Sequence, residues 1–263
     1  MLFRSRLLGQ AGHQEIILTG INLGTYYYQG KTIIEVIEAL EQIELIKRIR
    51  ISSIEPTTIP IELIHKMAKQ TKLCRYLHVP LQSGHNNILK RMQRKYTIEE
   101  FSDFVQTVFA LVPDICIGTD VIVGFPGERE EEFNTTYALL RELPIHYFHV
   151  FSYSKRTLAK SRTYTDVVPV SVFQKRSEIL HELSHRKRLV FYESQIGKTY
   201  DVLFENKKND LWIGLTDNYI RVGVKSTKNF ANQFYETNLK AIRGPYVLGE
   251  IALSTVPSQS FCY

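Results

Sequence analysis

Three segments of this chain end an apolar run in glycine and polar side chains, the arrangement by which a strand delivers backbone and functional groups to a ligand. The two strongest are His78-Val79-Pro80-Leu81-Gln82-Ser83-Gly84 and Gly118-Thr119-Asp120-Val121-Ile122-Val123-Gly124-Phe125-Pro126-Gly127-Glu128; the third is Leu18-Thr19-Gly20-Ile21-Asn22. Glycine lets backbone approach a ligand closely, and Thr19 and Asn22 supply donors and acceptors. The third segment equally suits an ordinary strand-to-helix turn. Gln82 and Ser83 sit in a Pro-Leu-Gln-Ser-Gly turn and are expected to face the mouth of a barrel. His78 reads first as a core histidine. Asp120 lies inside a strongly apolar strand, a costly place for a lone charge, so it either pairs with a basic side chain or meets a polar ligand. Glu55, between Ile54 and Pro56, binds a ligand amine or ribose hydroxyl, or caps the helix behind Pro60. Glu128 shares the start of a helix with Glu130, Glu131 and Glu132, where the helix dipole alone favours anions.

The elements needed to position these groups follow from periodicity. Short apolar strands are expected at residues 15–20, 49–53, 76–79, 115–123 and 147–151, and the fourth is apolar enough for burial on both faces, as in a parallel sheet. Helical spacing fills the intervals, with Pro60 opening one helix and Thr97 with Glu100 at capping-box spacing opening another. Residues 170–193 read as one long basic helix. After Gly197 the rhythm changes to short alternating strands at 199–204, 211–215, 219–224, 238–241 and 249–253. The expected fold is an α/β barrel or open parallel sheet over residues 1–193, followed by a small antiparallel β-barrel over 194–263.

Composition excludes several function classes. With 44% hydrophobic and 23% charged residues the chain is of ordinary globular type. It has no apolar run of membrane-spanning length, so a cytoplasmic, monomeric protein is expected. Cys74, Cys116 and Cys262 are far apart and fit no ligand spacing; a buried structural thiol is the expectation for the first two. The net charge of +6 is concentrated: residues 155–188 hold nine Lys/Arg against three acids, and Lys90-Arg91-Met92-Gln93-Arg94-Lys95 follows the Gln82 turn. Either cluster alone suits a solvated helix face, but both near one mouth point to a polyanionic substrate.

Taken together, the Leu-Thr-Gly-x-Asn, Ser-Ser-x-Glu-Pro, Pro-Leu-Gln-Ser-Gly and Gly-Phe-Pro-Gly-Glu segments closely resemble the radical S-adenosylmethionine methylthiotransferases. The continuation Asn22-Leu23-Gly24-Thr25-Tyr26, and Gly214-Leu215-Thr216-Asp217-Asn218-Tyr219, look most like the branch that acts on N6-threonylcarbamoyladenosine beside the tRNA anticodon. The resemblance implies a radical-SAM barrel, incomplete here, with Thr19, Gly20, Asn22, Glu55, Gln82, Ser83, Asp120, Gly124 and Glu128 around S-adenosylmethionine, an adenine lying against the Gly124 backbone. It likens the C-terminal module to a TRAM domain, a small RNA-binding barrel, with Trp212 and Tyr219 stacking on bases and Arg221 on phosphate, helped by Arg186, Lys187 and Arg188 of the basic helix. Core packing is the alternative for both aromatics.

The resemblance also marks what this chain lacks. The family's Cys-x3-Cys-x2-Cys, which holds the 4Fe-4S cluster that cleaves S-adenosylmethionine to a radical, is absent, as is its preceding domain with a second cluster. Tyr153-Ser154-Lys155-Arg156-Thr157-Leu158 departs from the Pro/Gly-rich turn usual there. The expectation is a C-terminal fragment of a tRNA methylthiotransferase, from a truncated gene or a mis-called start, inactive alone; the whole enzyme needs a reductant. The rivals are a non-catalytic RNA-binding remnant, an enzyme of isopentenyladenosine in tRNA, and one acting on a ribosomal protein.

Overall fold

The computed structural model describes residues 2–69, 71–157 and 159–252; Leu158, Leu253 and Cys262 lie outside them. The chain divides into two compact units, Met1–Phe191 and Tyr192–Tyr263. The first opens with α1 (Leu2–Gln10) and β1 (Glu15–Leu18), then a two-residue hairpin of β2 (Tyr27–Tyr28) and β3 (Lys31–Thr32). Helix α2 (Ile33–Glu41), β4 (Arg48–Ile51), α3 (Ile61–Ala68) and β5 (Tyr76–His78) follow. Next come α4 (Asn86–Arg91), α5 (Ile98–Leu111), β6 (Cys116–Val123), α6 (Glu130–Glu142), β7 (Tyr147–Ser152) and α7 (Val170–Glu193), which runs across the division between the units.

All five longer strands of this unit run parallel, in two ladders. One pairs β1 with β4 from Glu15↔Arg48 to Leu18↔Ile51, and the other pairs β5 with β6 and β6 with β7. Isolated bridges at Ile49↔Leu73 and Ser53↔His78 join the two. Because side chains alternate along a strand, the register puts Tyr76, His78, Asp120, Tyr147 and His149 on one face and Leu77, Ile117, Val121 and Phe148 on the other. The second set is buried in the core together with α2 through Ile33, Ile37 and Leu40, α3 through Leu63, Ile64 and Met67, and α5 through Phe101, Val105 and Val108. Thr97 caps α5 as its spacing predicts: its Oγ1 accepts from Glu100 N at 3.2 Å, and Glu100 Oε2 accepts from Thr97 N at 2.8 Å. Such a cap is worth about 1 kcal/mol. Thr32 and Glu35 form the same box on α2, unanticipated in the sequence. No helix among the described residues is long and apolar enough to cross a membrane.

Burial of His146 has a measurable consequence. Its Nδ1 accepts from Ile117 N at 2.9 Å, and its ring packs 4.3 Å from Phe191 and 6.1 Å from Phe109. Desolvation first, then the positive charge of Lys187, holds its pKa down at about 4. On acidification the unfolded chain therefore takes this proton first. The stabilisation is complete above pH 6.5 and is lost between 6.5 and about 4, a loss of up to about 3 kcal/mol. Urea unfolding across that range should show the slope, and His146→Gln, which keeps an acceptor for Ile117, should flatten it. An NMR titration giving His146 an ordinary pKa would refute this.

The second unit is a closed barrel of β8 (Thr199–Lys208), β9 (Leu211–Leu215), β10 (Arg221–Lys225), β11 (Gln233–Arg243) and β12 (Tyr246–Ile251), in the order β10-β12-β11-β8-β9. The expected antiparallel barrel is present with one exception, a seam where β10 and β12 pair in parallel through Val222↔Val247 and Gly223↔Leu248. Parity requires it: directions that alternate around an odd number of strands must fail to alternate once. Phe204, Val202, Ile220, Val222, Leu239 and Val247 fill its interior.

Candidate functional site

The polar face of the first unit's sheet carries a connected set of side chains. Glu15 of β1 takes both arginines of β4: Arg48 Nε lies 2.6 Å from Oε2 and Arg50 Nε 2.9 Å from Oε1. The Arg50 guanidinium lies 5.5 Å from the centre of the Tyr76 ring. Tyr76 and Tyr147 share a hydroxyl–hydroxyl bond of 2.6 Å, and Tyr147 reaches His78 Nδ1 at 3.5 Å. His78 Nε2 lies 3.0 Å from Asp120 Oδ1. Gly118 makes room for this chain, since a Cβ there would stand 2.5 Å from the Tyr147 ring. Arg188 of α7 lies over the other part of the row, 4.9 Å from the Tyr147 ring centre.

Asp120 also opens onto a cavity of about 850 Å³ at the C-terminal ends of β6 and β7. Gln82, Ile122, Phe125, Phe151 and Tyr153 line it, with Arg91 at the end of α4, Arg94 just beyond it, and Arg156 and Lys160 after β7. Ligand sites of parallel α/β folds open at this end of the strands.

The residues singled out in the sequence divide here. Gln82 lines the cavity in a left-handed conformation (φ 68°), its N–H donating to Asp120 O and its carbonyl accepting from Ile122 N. Ser83 does not face the mouth: it is fully buried, and its Oγ accepts from His85 N at 3.3 Å within the turn. Asp120 lies 3.0 Å from His78, a basic partner of the kind anticipated, and also lines the cavity. Glu55 caps nothing with its side chain and instead pairs with Arg94 at 3.1 Å. Thr19 and Gly20 are exposed at the end of β1. The Asn22 side-chain Oδ1 accepts from Gly24 N at 3.2 Å and Thr58 Oγ1 at 2.9 Å, fastening together the segments that follow β1 and β4. Gly124 has φ 75°, where glycine is favoured, and a Cβ there would stand 2.7 Å from Phe173.

Glu128 is corrected to an internal support. Its side chain is 2% exposed; Oε2 accepts from Gly124 N at 2.8 Å and from Arg176 Nη1 at 2.9 Å. Burial pushes its carboxyl up, opposed by the Gly124 amide and Arg176.

Among the expected RNA contacts, three side chains are accounted for internally. Lys187 Nζ donates to Arg141 O and Leu143 O at the C-terminus of α6, and desolvation holds its pKa down at about 8. Arg188 faces Tyr147, and Trp212 is buried 6.0 Å from Phe230. Arg186, Tyr219 and Arg221 are exposed, the last two just before and at the start of β10. Sequence reasoning missed Tyr147 and His149; the polar–apolar–polar order of Tyr147-Phe148-His149 was the available signal.

Donor atoms of His78, Asp120 and His149 lie within 4.8 Å of one another, but a cation there would have to break the His78–Asp120 contact. An iron–sulfur cluster does not fit the described thiols. Cys74 and Cys116 are buried, and burial pushes the Cys116 thiol far up, toward the protonated form that cannot ligate. The cavity, with Gln82 and Asp120 on its wall beside Ile122 and Phe125, has the mixed polar and apolar lining that a nucleoside-type cofactor needs.

The model of the Radical SAM superfamily matches residues 5–140. Threonylcarbamoyladenosine tRNA methylthiotransferase MtaB of Bacillus subtilis (strain 168) is 35% identical over 264 residues, covering 94% of this chain and 56% of its own length. tRNA-2-methylthio-N(6)-dimethylallyladenosine synthase of Endomicrobium trichonymphae is 31% identical over 240 residues, covering 91% of this chain and 57% of its own. Among solved structures, coproporphyrinogen III oxidase (HemN) of Escherichia coli, a radical SAM enzyme, superposes with a TM-score of 0.53 at 12% identity, over 91% of this chain and 58% of that one. That last similarity is one of fold alone. The chain thus spans just over half the length of the curated relatives it matches.

Proposed function

Because the chain belongs to the Radical SAM superfamily, we propose that it forms the barrel and RNA-binding parts of a tRNA methylthiotransferase that acts on N6-threonylcarbamoyladenosine. The observation that carries this reading is the 850 Å³ cavity at the strand ends, with Gln82 and Asp120 on its wall and basic side chains around it. S-adenosylmethionine, when bound there, supplies the methyl group and the precursor of a hydrogen-abstracting radical.

The chain's own residues then have distinct tasks. Asp120, oriented by His78, accepts from a ligand amine or hydroxyl, and Gln82 offers an amide beside it. The Gly124 turn, fixed by Glu128 and Arg176, presents backbone to an adenine. Ile122, Phe125 and Phe151 keep water from the reacting centre. Exposed Tyr219 and Arg221 suit base stacking and phosphate contact in a TRAM-like module, and exposed Arg186 of the first unit suits a phosphate contact of its own. The threonylcarbamoyl substrate rests on the Asn22–Tyr26 and Gly214–Tyr219 motifs and on the 35% identity to the Bacillus relative.

No step is assigned to a cluster, whose ligands are not among the described residues. After anaerobic incubation with iron and sulfide, the chain is expected to hold no stoichiometric 4Fe-4S cluster and to form no methylthiolated product; either would overturn its inactivity alone. Saturable binding of both S-adenosylmethionine and threonylcarbamoyl-bearing tRNA supports the main reading. The second reading, an RNA-binding protein without catalysis, is favoured by the buried, unsuited thiols, and tRNA binding without cofactor affinity would select it.

A further inference from the structure

Residues 153–157 and 159–164 follow β7, six of them line the cavity, and Tyr153 and Tyr164 are each fastened to neighbouring elements. Tyr153 N donates to Val123 O at 2.9 Å, and the Phe125 ring meets Tyr153 at 5.3 Å and Tyr164 at 6.1 Å, both edge-on. Tyr164 Oη donates to Arg91 O at 3.3 Å, and Gly127 N donates to Asp166 O at 2.7 Å. The two basic clusters of the sequence therefore meet across one cavity: Arg91 at the end of α4 and Arg94 just after it, Arg156 and Lys160 from the residues after β7.

Their charges are not equally answered. Arg91 pairs with Asp166 at 3.4 Å and Arg94 with Glu55 at 3.1 Å. No carboxylate among the described residues pairs with Arg156 or Lys160, and the single carboxylate on the cavity wall, Asp120, is engaged by His78. Two further groups of the wall, Tyr153 Oη and Arg94 Nε, are buried with no hydrogen-bond partner among the described residues. What this wall has in excess is donors and positive charge, so its complement is a group that is all acceptor and negative.

Building on the tRNA reading, we propose that Arg156 and Lys160 are substrate-binding residues that hold an oxyanion of the RNA substrate over the cavity. The oxyanion is either the carboxylate of an amino-acid substituent on the target base or a phosphate next to it. Both present paired anionic oxygens, which a guanidinium grips in bidentate fashion and an ammonium as a point charge. An apolar substituent such as dimethylallyl has nothing to offer this pair.

The test uses the full chain and three anticodon stem-loop RNAs that differ only at the target adenosine: N6-threonylcarbamoyl, N6-dimethylallyl or unsubstituted. The doubly substituted Arg156→Ala/Lys160→Ala protein is expected to bind the threonylcarbamoyl RNA about tenfold more weakly, with Arg156→Lys/Lys160→Arg retaining most of the affinity. A loss confined to that RNA identifies the carboxylate; an equal loss on all three identifies the phosphate. Affinities unchanged to within about twofold on every RNA overturn the inference while leaving the tRNA reading intact. Failure of the wild-type chain to bind any of the three instead removes the tRNA reading itself. Both side chains are exposed, so thermal unfolding should be unaffected and serves as the folding control.

Discussion

Glu15→Gln should destabilise the first unit by about 3–5 kcal/mol, because it removes the carboxylate that two buried arginines share. Arg48 and Arg50 are both almost wholly buried, and Glu15 meets one with each oxygen. Desolvation pushes the Glu15 carboxyl up, but Arg50 and then Arg48 outweigh it and hold it below the usual carboxylate range. A depressed carboxylate contributes stability above the unfolded pKa of 4.5 and loses it as pH falls through the lower folded value. The wild type should therefore lose more stability below about pH 4.5 than Glu15→Gln does. Chemical denaturation of both proteins at pH 7 and pH 3.5 tests this. Equal stability at pH 7 would mean that the arginines are satisfied without Glu15.

Arg176→Met is the second large effect expected, again about 3–5 kcal/mol. It strips the ion pair from a carboxylate that is 2% exposed and leaves Glu128 with the Gly124 amide. It also removes the bond from Arg176 Nη1 to Glu128 O and the guanidinium packed 5.2 Å from the Phe133 ring centre. The double variant Glu128→Gln/Arg176→Met should recover part of the loss, because no buried charge is then left over. The measurement is a denaturant double-mutant cycle, in which strict additivity of the two single changes would refute the pairing. Since Glu128 holds the Gly124 turn, Arg176→Met should also weaken S-adenosylmethionine binding, and Glu128→Gln should do so less.

Much of the frame was legible because it rests on local pattern. The parallel strands follow apolar runs, the Thr97–Glu100 box follows spacing, and α7 runs over the residues its periodicity indicates. Helix α1 was not legible, since its Leu2, Leu7 and Leu8 form no single apolar stripe, nor was the hairpin of β2 and β3, with two residues a strand. At the site, what a residue touches depends on partners far along the chain. Glu128 looked like a helix-start anion until Arg176, 48 positions away, was brought beside it. Lys187 and Arg186 are neighbours in sequence, yet one serves the carbonyls of α6 and the other is exposed. Trp212 and Tyr219 are equally aromatic, and only the barrel's register decides that the first is interior.

The sheet of the first unit is stitched from two ladders rather than woven as one. Between β4 and β5 the spacing is set less by a continuous run of hydrogen bonds than by the bulk of Ile49, Ile51, Ile54, Leu77 and Val79 in the shared core. The separation of the Glu55 turn from the Gln82 turn is therefore a matter of methyl groups. A methylene added or removed at that seam would move Glu55, and with it the Arg94 it pairs with on the cavity wall, while every polar side chain kept its identity. In a fold of this kind, the placement of a charge at the site can be retuned from behind the wall.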